Sequence, residues 1–168
     1  MYPENYLLYL QIILFLFITP GSPRVLIVSY SMTYSVKKSA WTALGDITAN
    51  SIQMIVVTFI IGSILLAYPQ IMIIMKWLGV MYLTYLAYEL FRAKVKNFSS
   101  SNEKIAKTNM SFFRDGFLVA GLSPKALIFF GAIFPNFMNF EGNYISQFII
   151  LGITYVVLDF ITLMIYSL

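Results

Sequence analysis

The sequence predicts an all-α membrane protein of about five transmembrane helices, an incomplete 3+3 inverted repeat whose first and fourth helices are broken. Three observations carry this prediction. Hydrophobic residues make up 60% and charged residues 11% of the 168-residue chain, against roughly 45–50% and about 25% in soluble domains. The apolar residues gather in runs of the roughly 20 residues needed to cross a bilayer core of about 30 Å. Prolines interrupt the first and fourth runs, where each removes a backbone donor and clashes with the preceding turn.

The first run extends from about Tyr6 to Tyr34 and is interrupted by Thr19-Pro20-Gly21-Ser22-Pro23. Only Glu4 among charged side chains precedes it, where a signal peptide would carry positive charge, so the run is expected to stay as a membrane anchor. The second run spans about Ala40 to Ala67 and the third Ile71 to Phe91. A polar stretch follows, Lys94 to Asn109, with Ser99-Ser100-Ser101-Asn102 at its middle. The fourth run covers about Phe112 to Met138 and contains Ser123-Pro124-Lys125; the fifth covers Tyr144 to Leu168. Helix is the expected conformation throughout, because an isolated strand leaves its backbone groups unsatisfied in hydrocarbon. Barrel strands alternate in polarity, and Ile52–Ile61 and Ile71–Met75 do not.

Lys and Arg crowd into Lys37–Lys38 and the stretch from Arg92 to Arg114. These basic residues occupy gaps between apolar runs, which is no nucleic-acid face. An even number of crossings separates Lys37–Lys38 from Lys94, Lys96, Lys104 and Lys107. Both stretches therefore face one side, which the positive-inside rule makes cytoplasmic. The N-terminus, the Tyr68-Pro69-Gln70 turn and the Glu141 loop then lie outside. The expected organisation is a first three-helix repeat over 1–92, a cytoplasmic polar loop over 93–110, and a second repeat over 111–168 with two helices. Three helices per unit make the second unit enter from the opposite face, and a full repeat calls for a sixth helix that these residues do not supply.

Cysteine and histidine are absent, which excludes disulfides, thiolate chemistry and the usual haem and zinc ligation. No cofactor or metal is expected. No nucleophile–base set or glycine-rich phosphate loop assembles either, so the chain does not read as an enzyme. Gly116 and Gly121 read as packing residues. Trp41, Trp77 and the many tyrosines read as interfacial belts, and Glu89 with Arg92 as a local pair.

Breaks at matching positions of two halves point to a transporter's midplane site, because freed backbone groups at membrane depth must line a cavity or be buried in protein. The second run carries Thr42, Asp46, Asn50 and Gln53 at steps of four, four and three, which hold one helical face. An acid near the bilayer centre costs ~3 kcal/mol and faces a cavity or a partner. Gly45 and Ala49 allow a neighbouring helix to approach closely. The fifth run has a matching line, Tyr155, Asp159, Thr162 and Tyr166, so on the repeat reading Asp159 is the second half's buried acid, the counterpart of Asp46. Lys125 can pair with Asp46 or Asp159, or hold a substrate carboxylate. Arg24 can do the same, or snorkel to the inner interface.

These residues resemble the lysine exporter (LysE/RhtB) family of bacterial amino-acid exporters. Thr19-Pro20-Gly21-Ser22 is similar to that family's Thr-Pro-Gly-Pro motif, with Ser22 in the last proline's place and Pro23 next. Ala43-Leu44-Gly45-Asp46 with Asn50 and Gln53-Met54 resembles the second helix of one branch. Lys76-Trp77-Leu78-Gly79-Val80 and Tyr82-Leu83 through Tyr85-Leu86 resemble its third. Ser123-Pro124-Lys125-Ala126-Leu127 is similar to Asn-Pro-Lys-Ala, and Phe129-Phe130 and Phe134-Pro135-Asn136-Phe137 continue the likeness.

The resemblance implies an inner-membrane exporter of amino acids or close analogues, exchanging them for protons, with Asp46 and Asp159 as the candidate proton-coupling residues. Its partners would be a small-molecule substrate, protons and the lipid bilayer, with homo-oligomerisation left open. The expected substrate site comprises Thr19, Pro20, Gly21, Asp46, Asn50, Gln53, Ser123, Pro124 and Lys125. The alternative is a truncated, non-transporting remnant or a membrane interaction subunit.

Overall fold

The computed structural model describes residues 3, 5–19, 21–68, 70–92, 107–140 and 142–168. Expectations on Glu4, Pro20, Pro69, Glu141 and the stretch 93–106, which holds Lys94, Lys96 and Lys104, fall outside these residues, as do the side chains of Glu89 and Arg92.

Every element among the described residues is helical: α1 (Tyr6–Ile18), α2 (Ser22–Thr33), α3 (Val36–Ala67), α4 (Ile71–Arg92), α5 (Asn109–Gly121), α6 (Pro124–Ile128) and α7 (Tyr144–Tyr166). A π-helical turn, Phe129–Ile133, and a 3₁₀ turn, Phe134–Phe137, carry the chain on from α6. Val36–Ile60 and Tyr144–Tyr166 are each long and apolar enough to cross a membrane, and counting each bent pair as one span brings the number to four. α4, the expected third span, has 22 residues. At 1.5 Å per residue it reaches about 33 Å, but it is not among the helices that are both long and apolar enough to cross.

Both expected breaks are present. α1 and α2 meet at 53°, and α5 meets the Pro124–Phe137 segment at 51°. Thr19 and Ser123 leave the helical region for extended backbone, as residues preceding a proline prefer. Prolines then sit in the first turns of α2 and α6, where a missing N–H costs nothing.

α3 starts earlier than the hydropathy suggests. The Ser35 side chain accepts from the Lys38 amide and caps the helix, so Lys37 and Lys38 occupy the first turn of α3 instead of a loop. The Lys38 ammonium lies 5.8 Å from the Tyr34 ring centre, and the Lys107 ammonium 4.7 Å from that of Tyr30. Those two rings are 5.8 Å apart, so Lys38 and Lys107, one from each basic stretch, meet at the same end of the molecule.

The most extensive packing is between α3 and α5. A Cβ on Gly45 would collide with the Phe113 carbonyl, and one on Gly116 with that of Thr42. Each helix thus supplies a glycine where the other's backbone presses in. The hydrophobic core lies between α1, the π and 3₁₀ turns and α7, around Tyr9, Phe17, Phe129, Phe130, Phe134, Leu151 and Tyr155. Apolar side chains on the outer faces, such as Leu7, Ile73, Ile153 and Ile165, are more than half exposed, as suits helices solvated by lipid.

Candidate functional site

The two breaks adjoin, Lys125 of the second reaching the carbonyls of Leu16 and Thr19 at the first, and Asp46 and Asn50 of α3 with Tyr155 of α7 line the space beside them. Asp46, Asn50 and Asp159 are 2%, 6% and 1% exposed. The Asn50 side-chain amide donates to Asp46 Oδ2 at 2.9 Å and to Asp159 Oδ2 at 3.2 Å. It therefore ties the acid of α3 to the acid of α7.

Arg24 completes the cluster. The α1–α2 break carries the first turn of α2 into the bundle, where the guanidinium donates to Asp159 Oδ1 at 3.1 Å. It stacks 5.1 Å from the centre of the Phe17 ring, which turns its electron-rich face to the cation. The reading of Arg24 as a snorkelling residue gives way to a buried ion pair, because the bend redirects its stem inward.

Lys125 does something else. Its ammonium donates to the carbonyls of Leu16 and Thr19 at 2.6 and 2.9 Å. These belong to the last turn of α1 and the residue beyond it, where helical carbonyls lose their partners. A lysine at the second break thus ties down the open end of the first. The Thr19 hydroxyl donates back to the Phe15 carbonyl at 2.8 Å. Gln53 donates to the Gly121 carbonyl at 2.7 Å, the corresponding free end of α5, and so serves the break rather than the cluster.

A cavity of about 20 Å³ is lined by Leu16, Pro23, Arg24, Asp46, Asn50, Ser123, Lys125, Ala126 and Tyr155. Of the residues expected at the site, Asp46, Asn50, Ser123 and Lys125 come together here, with Asp159 behind Arg24. Thr19, Gly21, Gln53 and Pro124 shape the surrounding breaks, and Pro20 lies outside the described residues. Among the described residues no group of acidic side chains has the arrangement of a metal site.

The expected set omitted Arg24 and Tyr155 from the site. The signal for Arg24 was present, since an arginine directly after a proline break enters the protein with the turn that follows. Tyr155 lay on the α7 polar line one helical turn before Asp159.

A second polar cluster, at the basic end, was not anticipated. Lys107 donates to Asp115 Oδ2 at 2.8 Å and to the Tyr30 hydroxyl at 2.6 Å, and that hydroxyl donates to the same carboxylate oxygen at 2.8 Å. The three link α2 to α5. Partial burial pulls the Lys107 ammonium towards neutrality, but the bonds to Asp115 and Tyr30 outweigh this and hold its pKa above the ordinary 10.5.

Residues 14–168 match the family described as LysE type translocator. An uncharacterized membrane protein, YrhP, of Bacillus subtilis (strain 168) is 28% identical over 160 residues, covering 89% of this chain and 75% of the relative. A homoserine/homoserine lactone efflux protein of Salmonella typhi is 26% identical over 162 residues, with 95% and 77% covered. A leucine efflux protein of Klebsiella pneumoniae is 22% identical over 157 residues, with 93% and 74% covered. No solved structure matches the chain.

Proposed function

The chain belongs to the LysE type translocator family, and we propose that it exports amino acids or close analogues across the bacterial inner membrane in exchange for protons. The observation that carries this reading is the buried cluster of Arg24, Asp159, Asn50 and Asp46 between two broken helices. Charged groups at membrane depth mark substrate and proton paths, and half-helix ends offer backbone amides and carbonyls to a charged guest. Relatives named for efflux of leucine and of homoserine and its lactone support the substrate class.

In this reading the two halves form an inverted repeat, α1–α4 and α5–α7, with the basic end in the cytoplasm and the N-terminus outside. Asp46 and Asp159 come from equivalent helices and compete for one guanidinium. When substrate contacts shift that guanidinium or Asn50, the acid left with fewer hydrogen-bond donors takes a proton, and it releases it when the contact re-forms. Histidine is absent from the chain, which leaves carboxylates to carry the proton.

The test is export from cells that lack their own exporters. Cells loaded with individual amino acids through dipeptides and expressing this chain should release one or more of them faster than cells without it. Collapse of the proton gradient by an uncoupler should stop the release. Release that continues unchanged without the gradient would overturn proton exchange; no release of any amino acid would favour a non-transporting membrane protein.

A further inference from the structure

Three buried side-chain atoms at the central cavity have no hydrogen-bond partner: Arg24 Nε, Asp46 Oδ1 and Asn50 Oδ1. Their residues all line the cavity and are each more than nine-tenths buried. An orphaned buried polar atom costs about 1–3 kcal/mol, so three around one space describe a pattern that a guest completes. The pattern is one donor on a cation and two acceptors, one of them on a carboxylate. Resting on the export reading, we propose that Arg24 with the Asp46–Asn50 pair is a head-group subsite for zwitterionic α-amino acids. The guest's carboxylate accepts from Arg24 Nε, and its ammonium donates to Asp46 Oδ1 and Asn50 Oδ1.

Charge bookkeeping favours the same guest. Arg24 and Lys125 are matched in formal charge by Asp46, which lines the cavity with them, and by Asp159, which Arg24 holds. A zwitterion adds no net charge to this balance. A guest that lacks its carboxylate adds a positive charge with no counter-ion, which a site of low dielectric penalises strongly. The geometry of arginine also matters, since its planar fork can hold Asp159 through one nitrogen while offering another to a second carboxylate. Lys125, tied to the α1 carbonyls, is occupied in holding the break. The space of about 20 Å³ is smaller than an amino acid, so the guest enters as the halves part, and the polar pattern decides which guests are held.

Binding to the purified chain in lipid nanodiscs tests this. Thermal unfolding is followed against a panel of neutral L-amino acids, each alongside its carboxamide and its 2-hydroxy acid. One or more amino acids should raise Tm, with both analogues binding at least about tenfold more weakly. Arg24→Gln alone strands Asp159, so it is paired with Asp159→Asn; Arg24→Lys keeps the charge without the fork. In the double variant the preference for acid over carboxamide should fall towards one, and in Arg24→Lys it should shrink. Equal binding of acid and carboxamide by the native chain, no stabilisation by any amino acid, or an unchanged preference in a folded double variant would overturn the subsite. Discriminating binding without export in cells would sink the export reading alone, and export by a chain that does not discriminate would sink the subsite alone.

Discussion

At the scale of single residues, the chemistry concentrates in Asp46, Asn50, Arg24 and Asp159, and each can be changed by one atom type. Asp46→Asn retains an oxygen near the Asn50 amide but removes the ability to take and release a proton. Proton-driven export should fall to background in an exporter-deficient strain, while membrane levels of the protein stay normal, because losing a buried charge makes insertion cheaper by up to ~3 kcal/mol. Normal export by well-expressed Asp46→Asn would reduce the α3 stripe to helix packing. Arg24→Met is expected to destabilise by about 3–5 kcal/mol, because it leaves Asp159 buried without its partner. Adding Asp159→Leu should recover much of that loss. Thermal unfolding of the single and double variants reads this directly, and a double variant no more stable than Arg24→Met would show that the pair is not what the arginine serves.

At the scale of elements, two contacts decide how the half-helices sit. The α3–α5 crossing depends on Gly45 and Gly116, whose missing side chains let each backbone reach the other. Gly45→Val or Gly116→Val must push the helices apart. Overpacking of this kind costs typically 1–3 kcal/mol or more, so both variants should give markedly less folded protein by gel filtration than Gly121→Ala. At Gly121 an added Cβ meets the Ala49 side chain at an ordinary 3.8 Å. The second contact is the Lys107–Tyr30–Asp115 link between α2 and α5. Folding raises the Lys107 pKa above its ordinary 10.5. Its contribution is therefore fully present below that value and lost as pH rises through the higher folded one. Stability should fall as pH climbs above about 10.5, and Lys107→Met should flatten that part of the profile. A profile unchanged by Lys107→Met would mean that the link adds nothing to folding.

At the scale of the whole molecule, the question is which way the bundle faces. Lys38 and Lys107 meet at one end, around Tyr30 and Tyr34. In the proposed orientation, which follows the positive-inside rule, that end faces the cytoplasm. Reporter fusions after Lys38 and Lys107 should report cytoplasm and one after Gln70 the exterior. An exterior signal from Lys107 would reverse the proposed orientation and unseat the inverted-repeat reading.

Much of this architecture is a direct consequence of composition and local chemistry. Long apolar runs can only be helices in lipid, so the helix bounds at Ala67, Ile71 and Tyr144 follow from where the runs begin and end. A proline fixes its own φ and biases the residue before it wherever it stands, so the breaks at Thr19 and Ser123 are legible too. Steps of three and four place Asp46 with Asn50, and Tyr155 with Asp159, on single faces. Which face meets which partner is another matter, because it depends on how helices far apart in sequence cross. Only the tertiary structure pairs Arg24 with Asp159 across 135 positions and turns Lys125 to the carbonyls at the end of α1. It also joins Lys107 to α2 and α5. A charged side chain is long enough to reach several partners, and local sequence cannot choose among them. The bends of 53° and 51° and the glycine crossing of α3 with α5 make that choice, by setting which charges are brought within hydrogen-bonding distance as the bundle closes.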